Sequence, residues 1–135
     1  MSDHQEYEEF LRRFESAELT SDEFTHIEHV RMAWLYLRAH PLPEALAKIR
    51  DGIRHFAEVH GAGGLYHETI TVGYALLICS RIRDGADDWD DWEEFRRANP
   101  ELFEPKLGLL RRYYDEQTLH SPAAKQRFIW PDKLD

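Results

Sequence analysis

From Thr69 to Ser80 the chain reads TITVGYALLICS, with no charged side chain between Glu68 and Arg81. An uncharged run of this kind must be buried, yet it falls short of the roughly 18 to 20 residues a membrane span requires. Its apolar residues do not alternate with polar ones, which argues against a half-buried strand. A core helix satisfies the run, and similar helical spacing recurs in segment after segment. The sequence therefore predicts an all-α fold.

Tyr7, Phe10, Leu11 and Phe14 space a first amphipathic helix, which ends before Leu19-Thr20-Ser21-Asp22. A second runs from about Thr25 to Ala39 and stops at His40-Pro41, because the residue before proline is driven out of the helical region. Pro43 opens a third helix at a favoured first-turn position. Leu46, Ile49, Ile53 and Phe56 form its core stripe, and Gly61 closes it as a left-handed cap. GAGG, residues 61 to 64, reads as a tight hinge. A fourth helix covers about Tyr66 to Arg83, stops at Gly85 and is expected to be the most buried. DDWDDWEEF starts a fifth, its acidic residues favoured by the helix dipole. Pro105 begins a sixth, from Lys106 through Gln117, and Ser121-Pro122 caps a short last helix ended by Trp130-Pro131. The expected architecture is an antiparallel bundle of about six helices, with helices two to four central. No repeat or Gly/Ser linker divides residues 1–135, so one domain is expected.

The charge balance narrows the partners. With 17 basic and 26 acidic residues the chain carries −9, the wrong sign for a phosphate backbone or an anionic membrane. The lone cysteine, Cys79, cannot form an internal disulfide, and MSDHQEYEEF has no apolar signal region. A soluble cytoplasmic protein is expected.

Eight histidines are present, and four are placed by helical topology. At about 100° per residue, His26 shares a face with Val30, Ala33 and Leu37, and His29 lies at its edge beside Tyr36. His60 continues the stripe of helix three, whereas His55 lies off it and should face solvent. On helix four, His67, Thr71, Tyr74 and Ile78 share one line. Antiparallel connections bring the start of helix two, the end of helix three and the start of helix four to one end of the bundle. His26, His29, His67 and His60 then form a candidate metal site for Zn, Fe, Ni or Cu with open coordination positions. Glu68 is a supporting carboxylate. Ala33, small at the matching depth, would bound a pocket with Thr71 and Tyr74 for a small-molecule ligand.

Each histidine also has a structural reading. His60 before a glycine suits a helix C-terminus, His67 could cap the fourth helix, and His26 could be a hydrogen-bonded core residue. No Walker loop, nucleophile elbow, Rossmann fingerprint or C-x-x-C pair is present, and no catalytic residue is assigned.

The words FTHIEHVRMAWLYL, YHETIT and RFIWPD carry a resemblance. Across residues 24 to 132 the chain resembles an uncharacterised family of short bacterial all-helical proteins with F-x-H-x-x-H and Y-H-E-T-x-T words. The resemblance implies no activity and draws attention only to His26, His29 and His67. Asp115 stands where a serine is expected after the paired tyrosines, so that position receives no role. Three functions remain open. The leading expectation is a metal-dependent enzyme acting on a small organic molecule. The others are a non-enzymatic ligand-binding or interaction module with structural histidines, including a homodimer, and a metal-free enzyme using a buried histidine as general base.

Overall fold

The computed structural model describes residues 3–84 and 91–133. It is all-α: seven α-helices and three short 3-10 turns, with no strand among the described residues. No described helix is long and apolar enough to cross a membrane. The chain divides into two compact units, Met1–Tyr66 and His67–Asp135.

The N-terminal unit holds α1 (Asp3–Glu15), α2 (His26–Ala39) and α3 (Leu42–Val59), followed by a 3-10 turn at Gly63–Leu65. Helix α1 ends with Ala17 at φ 60°, where the Glu18 N–H bonds Arg13 O and the Ala17 N–H bonds Phe14 O. Thr20 and Glu23 then bond each other reciprocally, each side chain accepting from the other's backbone N–H. That is the bonding of a capping box, used here to close the turn before α2. Helix α2 stops at His40, whose extended backbone (φ −135°, ψ 154°) is the conformation a following proline imposes. The α2–α3 hairpin turns at this corner.

Helix α3 ends as the sequence predicts, with Gly61 at φ +73°. The Ala62 N–H reaches Ala57 O at 2.7 Å and the Gly61 N–H reaches Glu58 O at 3.2 Å, the paired bonds of a Schellman motif. GAGG is therefore a helix terminator followed by a 3-10 turn, where the sequence suggests a hinge. Gly52 answers to a different demand. A Cβ there would lie 2.5 Å from Phe14 Cε2, so α1 and α3 meet at a ring laid on bare backbone.

The C-terminal unit holds α4 (Glu68–Asp84), α5 (Trp92–Ala98), α6 (Glu116–Leu119) and α7 (Pro122–Gln126), with 3-10 turns at Pro100–Phe103 and Leu110–Arg112. Helix α4 packs on α7 and on the Leu110–Arg112 turn. The expected stop of the fourth helix at Gly85 and the first residues of DDWDDWEEF lie outside the described residues. Asp91 caps α5, its carboxylate accepting from the N–H groups of Glu93 and Glu94.

Three expectations change. A helix from Lys106 through Gln117 does not form. Lys106 and Leu107 take φ of 56° and 60°, and the Gly108 N–H closes back on Pro105 O, so a left-handed turn replaces the first helical turn. The last helix ends at Gln126 rather than near Trp130, because Arg127 is extended (φ −147°, ψ 160°) and starts a strap along residues 127–133. Among the described residues the longest buried run lies in α2, from Met32 through Tyr36, rather than in α4, whose Leu76 and Leu77 are half-buried.

Candidate functional site

His26, His29 and His60 belong to the N-terminal unit and His67 to the C-terminal unit. In the N-terminal unit the imidazole of His29 stacks on Phe24 at 3.9 Å between centroids, with 25° between the planes. Phe24 continues to Phe56 at 4.7 Å, and Phe56 to the His60 ring at 4.3 Å. Two phenylalanine rings thus intervene between His29 and His60 along this chain of contacts. His60 Nε2–H donates to Ala17 O at 3.2 Å, joining the two helix termini that end in left-handed residues. His26, one turn before His29, is half-buried. Burial first, and repulsion from His26 second, lower the pKa of His29 to about 4, so its ring is neutral near pH 7.

In the C-terminal unit both ring nitrogens of His67 are in use. Nδ1 accepts from the Ile70 N–H at 3.1 Å, and Nε2–H donates to Leu119 O at 2.7 Å. The first bond caps α4, the structural role open to this residue from the sequence. The second ties the helix to the end of α6. A metal would have to displace one of the two. Among the described residues, no group of three or more His, Cys, Asp and Glu is arranged to hold a metal ion.

The expected substrate residues also have local surroundings. Ala33 is buried in the middle of α2, and Glu68 is buried in the first turn of α4. Tyr74 is buried, and burial followed by the nearby Glu104 carboxylate raises its phenol above the ordinary range, with a backbone hydrogen bond at Leu110 acting in the opposite direction. Thr71 is half-buried. The hydroxyl that organises this unit is that of Thr69, which is fully buried. It donates to Arg127 O at 2.9 Å and accepts from the Ile129 N–H at 3.1 Å. Thr71 stands two residues from the threonine that takes this role, and both belong to the same word, YHETIT.

A groove lined by none of the four expected histidine ligands lies wholly in the N-terminal unit. It has a volume of about 310 Å³ and is lined by Glu15, Tyr36, Ala47, Lys48, Asp51, Gly52 and His55. Tyr36, only 3% exposed, donates its hydroxyl to Glu15 Oε2 at 2.6 Å. Burial, reinforced by that hydrogen bond and the carboxylate charge, pushes the phenol far above its usual pKa, so it stays a donor. Lys48 Nζ sits 6.0 Å from the centre of the Tyr36 ring. His55 is exposed, as its position off the core stripe predicts, and stands at the groove. A sequence signal for the groove exists: Lys48, Asp51, Gly52 and His55 follow helical spacing along one side of α3. None of the residues expected to bind substrate lines this groove. Comparison of the chain with family models, with curated proteins and with solved structures found no match.

Proposed function

We propose that this protein is a non-enzymatic binding module for a small organic molecule, seated in the groove between α1, α2 and α3, with structural histidines. The observation that carries this reading is the groove itself. It combines an aromatic floor, a fixed phenol–carboxylate pair and three ionisable side chains of α3 that form no ion pair among the described residues. Its volume lies at the lower end of the range of about 300 to 1,000 Å³ common for small-molecule sites. The roles of His29, His60 and His67 support the second half of the reading. One is stacked on an aromatic ring, one is bonded across two helix ends, and one caps a helix.

The test has two arms on untagged protein. A mixed small-molecule panel is titrated against the ¹⁵N-labelled chain, and shifts are expected at Tyr36, Lys48, Asp51 and Gly52. Elemental analysis should find Zn, Fe, Ni and Cu well below one equivalent. A stoichiometric metal lost on His29→Ala or His26→Ala, with the helical signal retained, would return the reading to a metal centre. A panel that moves no groove resonance removes the binding reading.

A further inference from the structure

The groove presents opposite charges that do not neutralise one another. Among the described residues, Glu15 is bonded to the Tyr36 hydroxyl and forms no ion pair, and Asp51 is exposed with none either. Lys48, three residues before Asp51 on α3, likewise has no ion pair among the described residues, although this spacing is one at which oppositely charged helix neighbours commonly meet. Instead its ammonium lies over the Tyr36 ring, whose hydroxyl holds Glu15. A simple amine entering here would be attracted by two carboxylates and repelled by Lys48. A simple acid would meet Lys48 and be repelled by both carboxylates. A molecule carrying both charges satisfies the whole set.

The geometry points to a small zwitterion of the α-amino-acid type as the ligand of this groove, an inference that rests on the binding reading above. Its ammonium lies against Glu15 and Asp51, and its carboxylate against Lys48. Lys48 and Asp51 are separated by roughly 4.5 Å of helical rise, close enough for one compact molecule to reach both. The Tyr36 ring and the Ala47 methyl offer the remaining, apolar contact, so the side chain of the ligand is apolar and of moderate size. His55, one turn beyond Asp51, bounds the far end.

The test titrates the ¹⁵N-labelled full chain with each standard amino acid. The N-acetyl and carboxamide forms of the tightest binder, which lack one charge each, are titrated next. The expected result is saturable movement of the Tyr36, Lys48, Asp51 and Gly52 resonances by an apolar amino acid. Each singly charged form should bind at least tenfold more weakly. Lys48 and Asp51 sit at the surface end of the groove, so Lys48→Met and Asp51→Asn should leave the fold intact by circular dichroism. Each should weaken the free amino acid at least fivefold, and Lys48→Met should remove the preference over the carboxamide. A carboxamide or N-acetyl form that binds as tightly as the parent overturns the zwitterion while leaving the groove as a binding site. The zwitterion is overturned in the same way if no amino acid binds but another compound of the mixed panel occupies the groove. If nothing moves the groove resonances, the binding reading itself fails.

Discussion

A histidine stacked face to face on Phe24 at 3.9 Å has lost much of the water that would solvate its cation, and His26 one turn away opposes a second charge. Thr25 is the N-cap of α2, so Phe24 occupies the position before the cap and His29 the fourth helical position. These are the two places joined by a hydrophobic staple. The ends of the F-x-H-x-x-H word therefore hold the entry of the helix, with an imidazole serving as the apolar partner. The sequence places this histidine only at the edge of the inward face, beside Tyr36, and an imidazole there can ligate or stack, which helical spacing does not distinguish. A pH dependence follows. The native pKa is about 4 against an ordinary value of 6.5, so between these limits the unfolded chain binds the proton more readily. The stability conferred by the neutral ring is fully present above pH 6.5 and declines as the pH falls toward 4. One proton sets a limiting slope of about 1.4 kcal/mol per pH unit. His29→Phe keeps a ring on Phe24 and removes the titration. Chemical denaturation should show the variant gaining on the wild type as pH drops from 6.5 to 4, with a constant difference above 6.5. An imidazole resonance of His29 titrating near 6.5 would defeat the assignment.

Helix ends rather than helix middles decide where this chain turns, and the second and third helices are legible because their stops are written in proline and glycine. His40-Pro41 and Gly61 act through backbone geometry that those residues impose or permit. The end of α1 is less legible, because alanine at position 17 adopts φ 60° in the same bonding pattern that Gly61 completes for α3. Lys106 and Leu107 conceal the turn after Pro105 for the same reason. Their side chains look helical in spacing, while their backbones take the sign of φ that glycine usually supplies. GAGG provides a direct test of cap against hinge. At both Gly61 and Gly64 an added Cβ would meet nothing within 4 Å, but only Gly61 has positive φ. Gly61→Ala should destabilise the protein by about 1 to 2 kcal/mol, the strain of a left-handed alanine. Gly64→Ala should lie within about 0.5 kcal/mol of wild type or be slightly stabilising. Equal effects in denaturant titrations would indicate a flexible connection with no left-handed requirement.

At the scale of the whole chain, the two units draw on different sources of stability. The N-terminal unit has three helices of 13, 14 and 18 residues and a ring cluster of Phe14, Phe24 and Phe56. Such apolar periodicity is what a sequence displays openly. The C-terminal unit has one long helix, and its other described elements span only three to seven residues. Elements this short are marginal alone, so side-chain bonds to distant backbone must fasten them. His67 reaches Leu119, Thr69 reaches Arg127 and Ile129, and the Tyr114 hydroxyl donates to Ile129 O. The Asp115 N–H and Asp132 carboxylate, with the Lys133 N–H and Tyr113 carbonyl, hold the strap farther along. These bonds join residues up to 60 apart, beyond the reach of any local pattern, and they explain why the last third of the fold is the least legible in the sequence. Thr69 is the decisive member because its one hydroxyl serves a donor and an acceptor of the strap while fully buried. Thr69→Val keeps the shape and leaves the Ile129 N–H and the Arg127 carbonyl without that partner, at a cost of about 2 to 4 kcal/mol. Thr69→Ser restores both bonds and forgoes one methyl group, so it should recover all but about 1 kcal/mol. Thr71→Val, two residues away and half-buried, should change stability by no more than about 0.5 kcal/mol. Denaturant titration gives the ranking, and hydrogen exchange at the Ile129 amide locates it, with protection lost in Thr69→Val and kept in Thr69→Ser. Equal losses in the valine and serine variants would show that the methyl packing, and not the hydroxyl, fastens the strap.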